Sequence, residues 1–152
     1  MKRNNQILNQ IKTSFPAKSC NEAFSRSLIS AFVSQLDPTL EELCDIKTAV
    51  SEAVTNCIVH AYNDSYSEKE RIILLNAQYS KDGLITVRIR DKGCGIRDID
   101  KAREPMYSGS GSEERSGMGF SIMESFTDKL SVTSTIGKGT TVTLKKYIGK
   151  HG

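Results

Sequence analysis

Glu52 and Asn56 are the pair whose types and spacing most directly suggest chemistry. They stand four apart in the run Ser51-Glu52-Ala53-Val54-Thr55-Asn56-Cys57-Ile58-Val59-His60-Ala61-Tyr62. On a helix advancing about 100° per residue they share one stripe, about 40° apart. Leu43, Ile46, Val50, Val54, Cys57 and Ala61 fall on the far side and form its apolar face. A carboxylate takes a proton from a hydroxyl, and an amide oxygen one turn on is a hard ligand suited to Mg²⁺. Asp45, Thr48 and Thr55 lie on the same side, so a plain solvated face is the competing reading.

Three glycine-bearing turns sharpen the choice. Asp91-Lys92-Gly93-Cys94-Gly95 ends a strand, where a carboxylate accepts from an exocyclic amine and the glycines let a flat ring approach. Arg115-Ser116-Gly117-Met118-Gly119-Phe120 opens a helix, where unpaired N–H groups, the helix dipole and an arginine favour phosphate. Gly137-Lys138-Gly139-Thr140 joins the last two strands. Each alone is an ordinary turn, a permissive helix start or a hairpin tip. Their order, after a Glu/Asn helix, is far more specific than any one of them.

The elements that must hold these groups are legible from periodicity. A weak strand pattern covers Gln6 to Phe15, ended by Pro16. Ser19-Cys20-Asn21-Glu22 fits a capping box for a first helix reaching about Gln35. Asp37 as N-cap and Pro38 as first helical residue open the second helix, which carries Glu52 and Asn56. A polar loop follows from Asn63 to Lys69. Strands at Arg71 to Tyr79 and Leu84 to Asp91 form a hairpin around Lys81-Asp82-Gly83, with Ile85, Val87 and Ile89 buried and Thr86, Arg88 and Arg90 wet. Ser108-Gly109-Ser110-Gly111-Ser112 has no apolar anchor and is expected to be mobile. A helix from Met118 to Asp128 and strands at Leu130 to Ile136 and Thr141 to Ile148 complete the chain.

A length of 152 residues with 38% hydrophobic content suits one domain with a full core. Nothing approaches a signal peptide or a membrane span, which places the chain in the cytoplasm. The net charge of +3 is spread through the sequence and gives no reason to invoke a nucleic-acid surface. Cys20, Cys44, Cys57 and Cys94 form no Cys-x-x-Cys pair; Cys44 and Cys57 read as reduced core residues, with Cys94 in a loop.

Ser51 to Asn56, Asp91 to Ile96, Gly117 to Phe120 and Gly139-Thr140 resemble the N, G1, G2 and G3 boxes of the GHKL ATPase/kinase superfamily. Ser34 to Thr39, Ile46 to Ser51 and Glu114 to Phe120 narrow the resemblance to the sporulation anti-sigma serine kinases, over Ser14 to Lys146. The resemblance implies a single domain over 1–152 with the Bergerat-type fold. That is a two-layer α/β sandwich in which a mixed, mostly antiparallel sheet packs against helices, with ATP in the helical layer.

By position, the resemblance implies that Asn56 binds Mg²⁺ bridging the phosphates and that Asp91 reads the adenine amine with Thr140 helping through water. It implies that Gly93, Gly95 and Ile96 border the ring, and that Arg115, Ser116, Gly117, Met118, Gly119 and Phe120 belong to the phosphate-holding run. It also implies that Glu52 is the base acting on an acceptor serine and that Arg26 belongs to a partner surface. Tyr107 to Gly111 replaces a Thr-Thr-Lys-Pro stretch, so a lysine contact to phosphate is missing.

The implied partners are a sigma factor of the sigma-F type, a STAS-type anti-anti-sigma protein phosphorylated on serine, and a second copy of the chain. The alternatives are an ATP-dependent sigma-binding module without transfer, and an anti-sigma kinase of the general stress response. A histidine kinase catalytic domain is disfavoured, because the sequence shows no dimerisation helix bearing an acceptor histidine and only His60 and His151 are present. His60 reads as a packing or polar-bridge residue.

Overall fold

The computed structural model describes residues 5–104 and 115–149, excepting the side chains of 115–118. The expected mobile stretch Ser108 to Ser112 lies outside the described residues. Five strands form one sheet in the order β1-β2-β3-β5-β4: β1 is Ile7–Pro16, β2 Ile72–Ser80, β3 Leu84–Asp91, β4 Lys129–Thr135 and β5 Gly139–Tyr147. The sheet was expected to be mixed, mostly antiparallel; all four described ladders are antiparallel.

Period-two alternation gives the sheet its two faces. Ile73, Leu75 and Ala77 of β2, Ile85, Val87 and Ile89 of β3, and Val142 and Leu144 of β5 are buried toward the helices. The helical layer comprises α1 (Cys20–Val33), α2 (Leu40–Asn56), the single turn α3 (Ile99–Ala102) and α4 (Arg115–Ser125). α2 is central: it packs on α1, α4, β3 and β5, with Ile46, Ala49, Val50, Ala53 and Val54 buried. Lys146 reaches Asp45 of α2 at 3.5 Å and ties β5 to the same helix.

Both helix starts differ from expectation. Ser19 has helical dihedrals (φ −57°, ψ −32°), so its hydroxyl caps nothing, and the Glu22 carboxylate is taken by Arg26 and Ser51 instead. Asp37 does not cap α2: it closes the 3₁₀ turn Ser34–Leu36 in the left-handed region (φ 55°), with Pro38 outside the helix. The cap is Thr39, extended at ψ 163°, whose hydroxyl accepts from Glu42 N at 3.1 Å while Glu42 Oε1 accepts from Thr39 N at 2.9 Å. Thr39-x-x-Glu42 is itself a capping box, and it prevails because both side chains are committed to it.

Cys44 is exposed rather than core, two residues and about 200° from Ile46 on the helix. All four cysteines are free, and Cys57 is buried. A second short 3₁₀ turn, Glu68–Glu70, closes the polar loop before β2.

Candidate functional site

At Asn56 the α-helical part of α2 gives way to a wider π-helical turn, Cys57–Ala61. That turn, the loop after β3, and residues of α3, α4 and β5 enclose a cavity of about 430 Å³. The volume falls in the roughly 300–1,000 Å³ range usual for small-molecule sites. Asn56, Cys57, His60, Ala61, Asp91, Gly95, Ile96, Phe120 and Thr140 are among its walls, with Arg97 and Asp98 at its edge.

Asp91 is held rigidly in the cavity wall. It is 5% exposed, and its Oδ1 accepts from Gly93 N at 2.9 Å and Thr140 N at 3.3 Å, while Oδ2 lies 3.5 Å from the Cys57 thiol. Burial raises its carboxyl above the ordinary value, opposed by the hydrogen bonds from Gly93, Cys57 and Thr140. Burial, together with the Asp91 charge and hydrogen bond, pushes the Cys57 thiol well up, so it is a protonated donor. An anchored carboxylate in the wall of an apolar cavity suits an amine-bearing flat ring.

Gly93, expected to border a ring, is not in the cavity lining; what depends on it is the close packing of the loop after β3 on the π-helical turn. A Cβ on Gly93 would land on the Ala61 carbonyl, and the next residue, Cys94, donates its N–H to that carbonyl at 2.8 Å. Gly95 and Ile96 follow along the wall, and Ile96 N donates to Ser134 Oγ at 2.7 Å. Thr140 Oγ1 and Ser134 Oγ are 2.8 Å apart.

The wall also holds an unsatisfied amide. Asn56 Oδ1 and Nδ2 are both buried and have no hydrogen-bond partner among the described residues. Gly119 faces this amide, and Phe120 beside it is buried in the wall. An unpartnered buried amide costs free energy unless a ligand satisfies it, and its oxygen suits a hard divalent cation. Among the described residues no group of three His, Cys, Asp or Glu could hold a metal unaided. Arg115, Ser116, Gly117 and Met118 form the first turn of α4; their side chains lie outside the described residues.

Glu52 is half-buried, one turn before Asn56 on α2, and does not line the cavity. Arg26, on α1, donates to Glu22 Oε2 at 2.6 Å, and Ser51 Oγ donates to the same oxygen at 2.5 Å. Burial raises the Glu22 carboxyl, but the Ser51 and Arg26 hydrogen bonds and the arginine charge outweigh it, leaving it below the ordinary value.

Some site residues escaped the sequence reading. Cys57 was assigned to packing, but its thiol contacts Asp91, 34 residues away. Tyr62 Oη accepts from Lys92 N at 2.8 Å and donates to Ile72 O at 2.5 Å, pinning the loop after β3. His60, read as a packing or polar-bridge residue, is exposed and lines the cavity wall. Only the helical spacing of Cys57 and His60 from Asn56 hinted at these placements.

Residues 15–146 match the family described as histidine kinase-like ATPase domain. The anti-sigma F factor of Caldanaerobacter subterraneus subsp. tengcongensis is 50% identical over 143 residues, covering 94% of this chain and 96% of the relative. That of Geobacillus thermodenitrificans is 49% identical over 142 residues, 93% of this chain and 94% of the relative. In fold, the chain resembles the RsbU and RsbW domains of Rv1364c from Mycobacterium tuberculosis (TM-score 0.67, 18% identity, 93% of this chain and 33% of that one). It also resembles the SiaB-SiaC complex from Pseudomonas aeruginosa (TM-score 0.66, 13% identity, 93% of this chain and 90% of that one). With this two-layer fold and a match spanning nearly its whole length, the chain belongs to the histidine kinase-like ATPase domain family and, within it, to the anti-sigma F factors.

Proposed function

We propose that this protein, a single cytoplasmic domain, is an ATP-dependent serine kinase that holds a sigma factor of the sigma-F type inactive. It phosphorylates a serine of a STAS-type anti-anti-sigma protein. The observation that carries the reading is the buried, unpartnered amide of Asn56 in the wall of a cavity that the anchored Asp91 also lines. In this reading Asp91 accepts from the adenine amine, Gly95 and Ile96 border the ring, and Thr140 keeps Asp91 oriented. Asn56 would hold Mg²⁺, which would supply neutralisation of phosphate charge, while Arg115 and the start of α4, through Gly119, receive the phosphates.

Glu52 orients or deprotonates the acceptor hydroxyl at the cavity's edge, and Arg26 meets a partner. β1 and α1 associate with a second copy, where the exposed Ile7, Leu8 and Phe24 offer apolar surface. No helix among the described residues is long and apolar enough to cross a membrane.

One observation favours a second reading, a sigma-binding module without transfer: Glu52 lies outside the cavity lining. Glu52→Gln separates the two. It keeps shape and removes the proton acceptor, so phosphorylation of the anti-anti-sigma protein should fall by about 10²-fold while ATP and sigma binding persist. Asn56→Ala should instead weaken ATP binding. Transfer at the parental rate by Glu52→Gln would remove the base from the mechanism, and loss of its ATP binding would reverse the two roles.

A further inference from the structure

The sheet face turned away from the helices carries an unusual charge distribution. Lys12, Arg88, Arg90, Lys129 and Lys145 all occupy outward positions, alternating with the buried residues of their strands. No outward strand position holds Asp or Glu; Asp82 and Asp128 lie in turns at the margin. None of the five makes an ion pair among the described residues, whereas Lys146, pointing inward from the same strand, does. Outside this face the chain has 16 basic against 18 acidic residues, so its positive balance resides here.

The register spreads the cations across all the strands but β2. Lys129 stands opposite Lys145, and Lys12 and Arg88 face the two sides of Asn76. With strands about 4.8 Å apart and same-face residues about 6.8 Å apart along a strand, the charges form a plane rather than a point. Like charges directly opposite on an antiparallel pair are destabilising, so Lys129 and Lys145 burden the fold and await an anion. Among the described residues no element covers this face.

We propose that the open sheet face binds an acidic protein partner, through a segment rich in Asp and Glu laid across β3, β5 and β4. The charge of the face specifies the sign of its occupant, and the partly exposed Asn76, Ser131 and Thr143 between the cations suit carboxylates and peptide groups. Sheet faces that bind single-stranded nucleic acid use several aromatic platforms, and here Tyr147 is the sole outward aromatic. A second copy would bring five like charges against five. The cavity opens in the helical layer, so nucleotide and this partner occupy opposite sides, and the contact is separate from those at Glu52 and Arg26.

The test is titration of the isotope-labelled full chain with poly-L-glutamate of about 15 residues, followed by backbone amide shifts. Shifts should concentrate in β3, β4 and β5, and affinity should fall about tenfold when salt is raised from about 50 to about 200 mM. Arg88→Glu with Lys145→Glu should abolish binding, whereas Lys69→Glu with Lys101→Glu should retain it; ATP affinity should be unchanged in both. If the first pair does not fold, Lys12→Gln with Lys129→Gln carries the same test, with an expected loss of about threefold.

Lys129→Gln alone should raise Tm by relieving the opposed lysines. Shifts on the helical side, or full binding by Arg88→Glu/Lys145→Glu, would overturn the proposal. So would tighter binding of a single-stranded oligonucleotide of equal charge on the same strands. Self-association that this double variant abolishes would assign the face to a second copy.

Discussion

Gly119 of α4 lies directly against the side-chain amide of Asn56: a Cβ on Gly119 would sit 3.1 Å from Nδ2 and 3.2 Å from Oδ1. Gly119→Ala therefore crowds the very group that is buried without a partner. An alanine favours helix by about 0.5–1 kcal/mol over glycine, which offsets the crowding, so Tm should move little. Nucleotide affinity should fall at least about tenfold, because a displaced amide no longer meets the ion and phosphates. Calorimetry of ATP binding beside a thermal melt checks both parts; undiminished affinity would detach Asn56 from the nucleotide.

Asp91→Asn should stabilise the protein while weakening ATP binding. Burial raises the Asp91 carboxyl above its usual 3.8 despite the Gly93, Cys57 and Thr140 hydrogen bonds. The native state thus holds this proton more tightly than the unfolded chain, and ionisation subtracts stability. That penalty is absent below the unfolded value, grows as pH rises through the native one and is complete above it. An amide keeps an oxygen for the Gly93 and Thr140 N–H groups, so Tm at about pH 7 should rise, with the gain disappearing below about pH 4. ATP affinity should drop about tenfold or more, the scale of one hydrogen bond to a charged acceptor. Melts across pH with matched titrations test the sign; a variant less stable than the parent at neutral pH contradicts it.

Gly93→Ala should be severe for a different reason. The added methyl meets the Ala61 carbonyl, a backbone group that also receives Cys94 N. Forcing the loop away from the π-helical turn should cost about 3 kcal/mol and widen the cavity. Urea unfolding gives the first quantity. A loss below about 1 kcal/mol would mean that the loop relaxes freely.

The start of α2 gives a test of capping. Thr39→Ala removes the hydroxyl that accepts from Glu42 N and should lower stability by about 1 kcal/mol. Asp37→Gly should be neutral or stabilising, since Asp37 sits at φ 55°, where glycine carries no steric cost. The opposite order in denaturant melts would return the cap to Asp37.

Period-two alternation made β3 legible, except that Thr86, expected wet, is buried beneath its neighbours, and apolar spacing around Glu52 and Asn56 made the core face of α2 legible. Those signals are local and repeated. The caps were less so, because Ser19 and Asp37 offered plausible local motifs that lost to longer-range partners: Glu22 was claimed by Ser51, 29 residues away, and Thr39 competed with Asp37 for the helix. Asp91 was marked by its turn, but the Cys57 thiol beside it could be found only by folding α2 onto β3. The modest net charge likewise hid the basic sheet face, since a sum over the chain is blind to which side of a strand each cation takes.

The clamp on Glu22 has a consequence for whatever meets Arg26. The guanidinium meets Glu22 through Nε at 2.6 Å, so a carboxylate arriving from a partner either takes the remaining N–H donors or displaces Glu22. Where Glu22 is displaced, the net gain is only the difference between two ion pairs. When Glu22 departs it takes the acceptor of Ser51 Oγ with it, and Ser51 is the immediate neighbour of Glu52. A partner that displaced Glu22 from Arg26 would thereby free a hydroxyl one residue from Glu52, coupling the two surfaces through a single carboxylate.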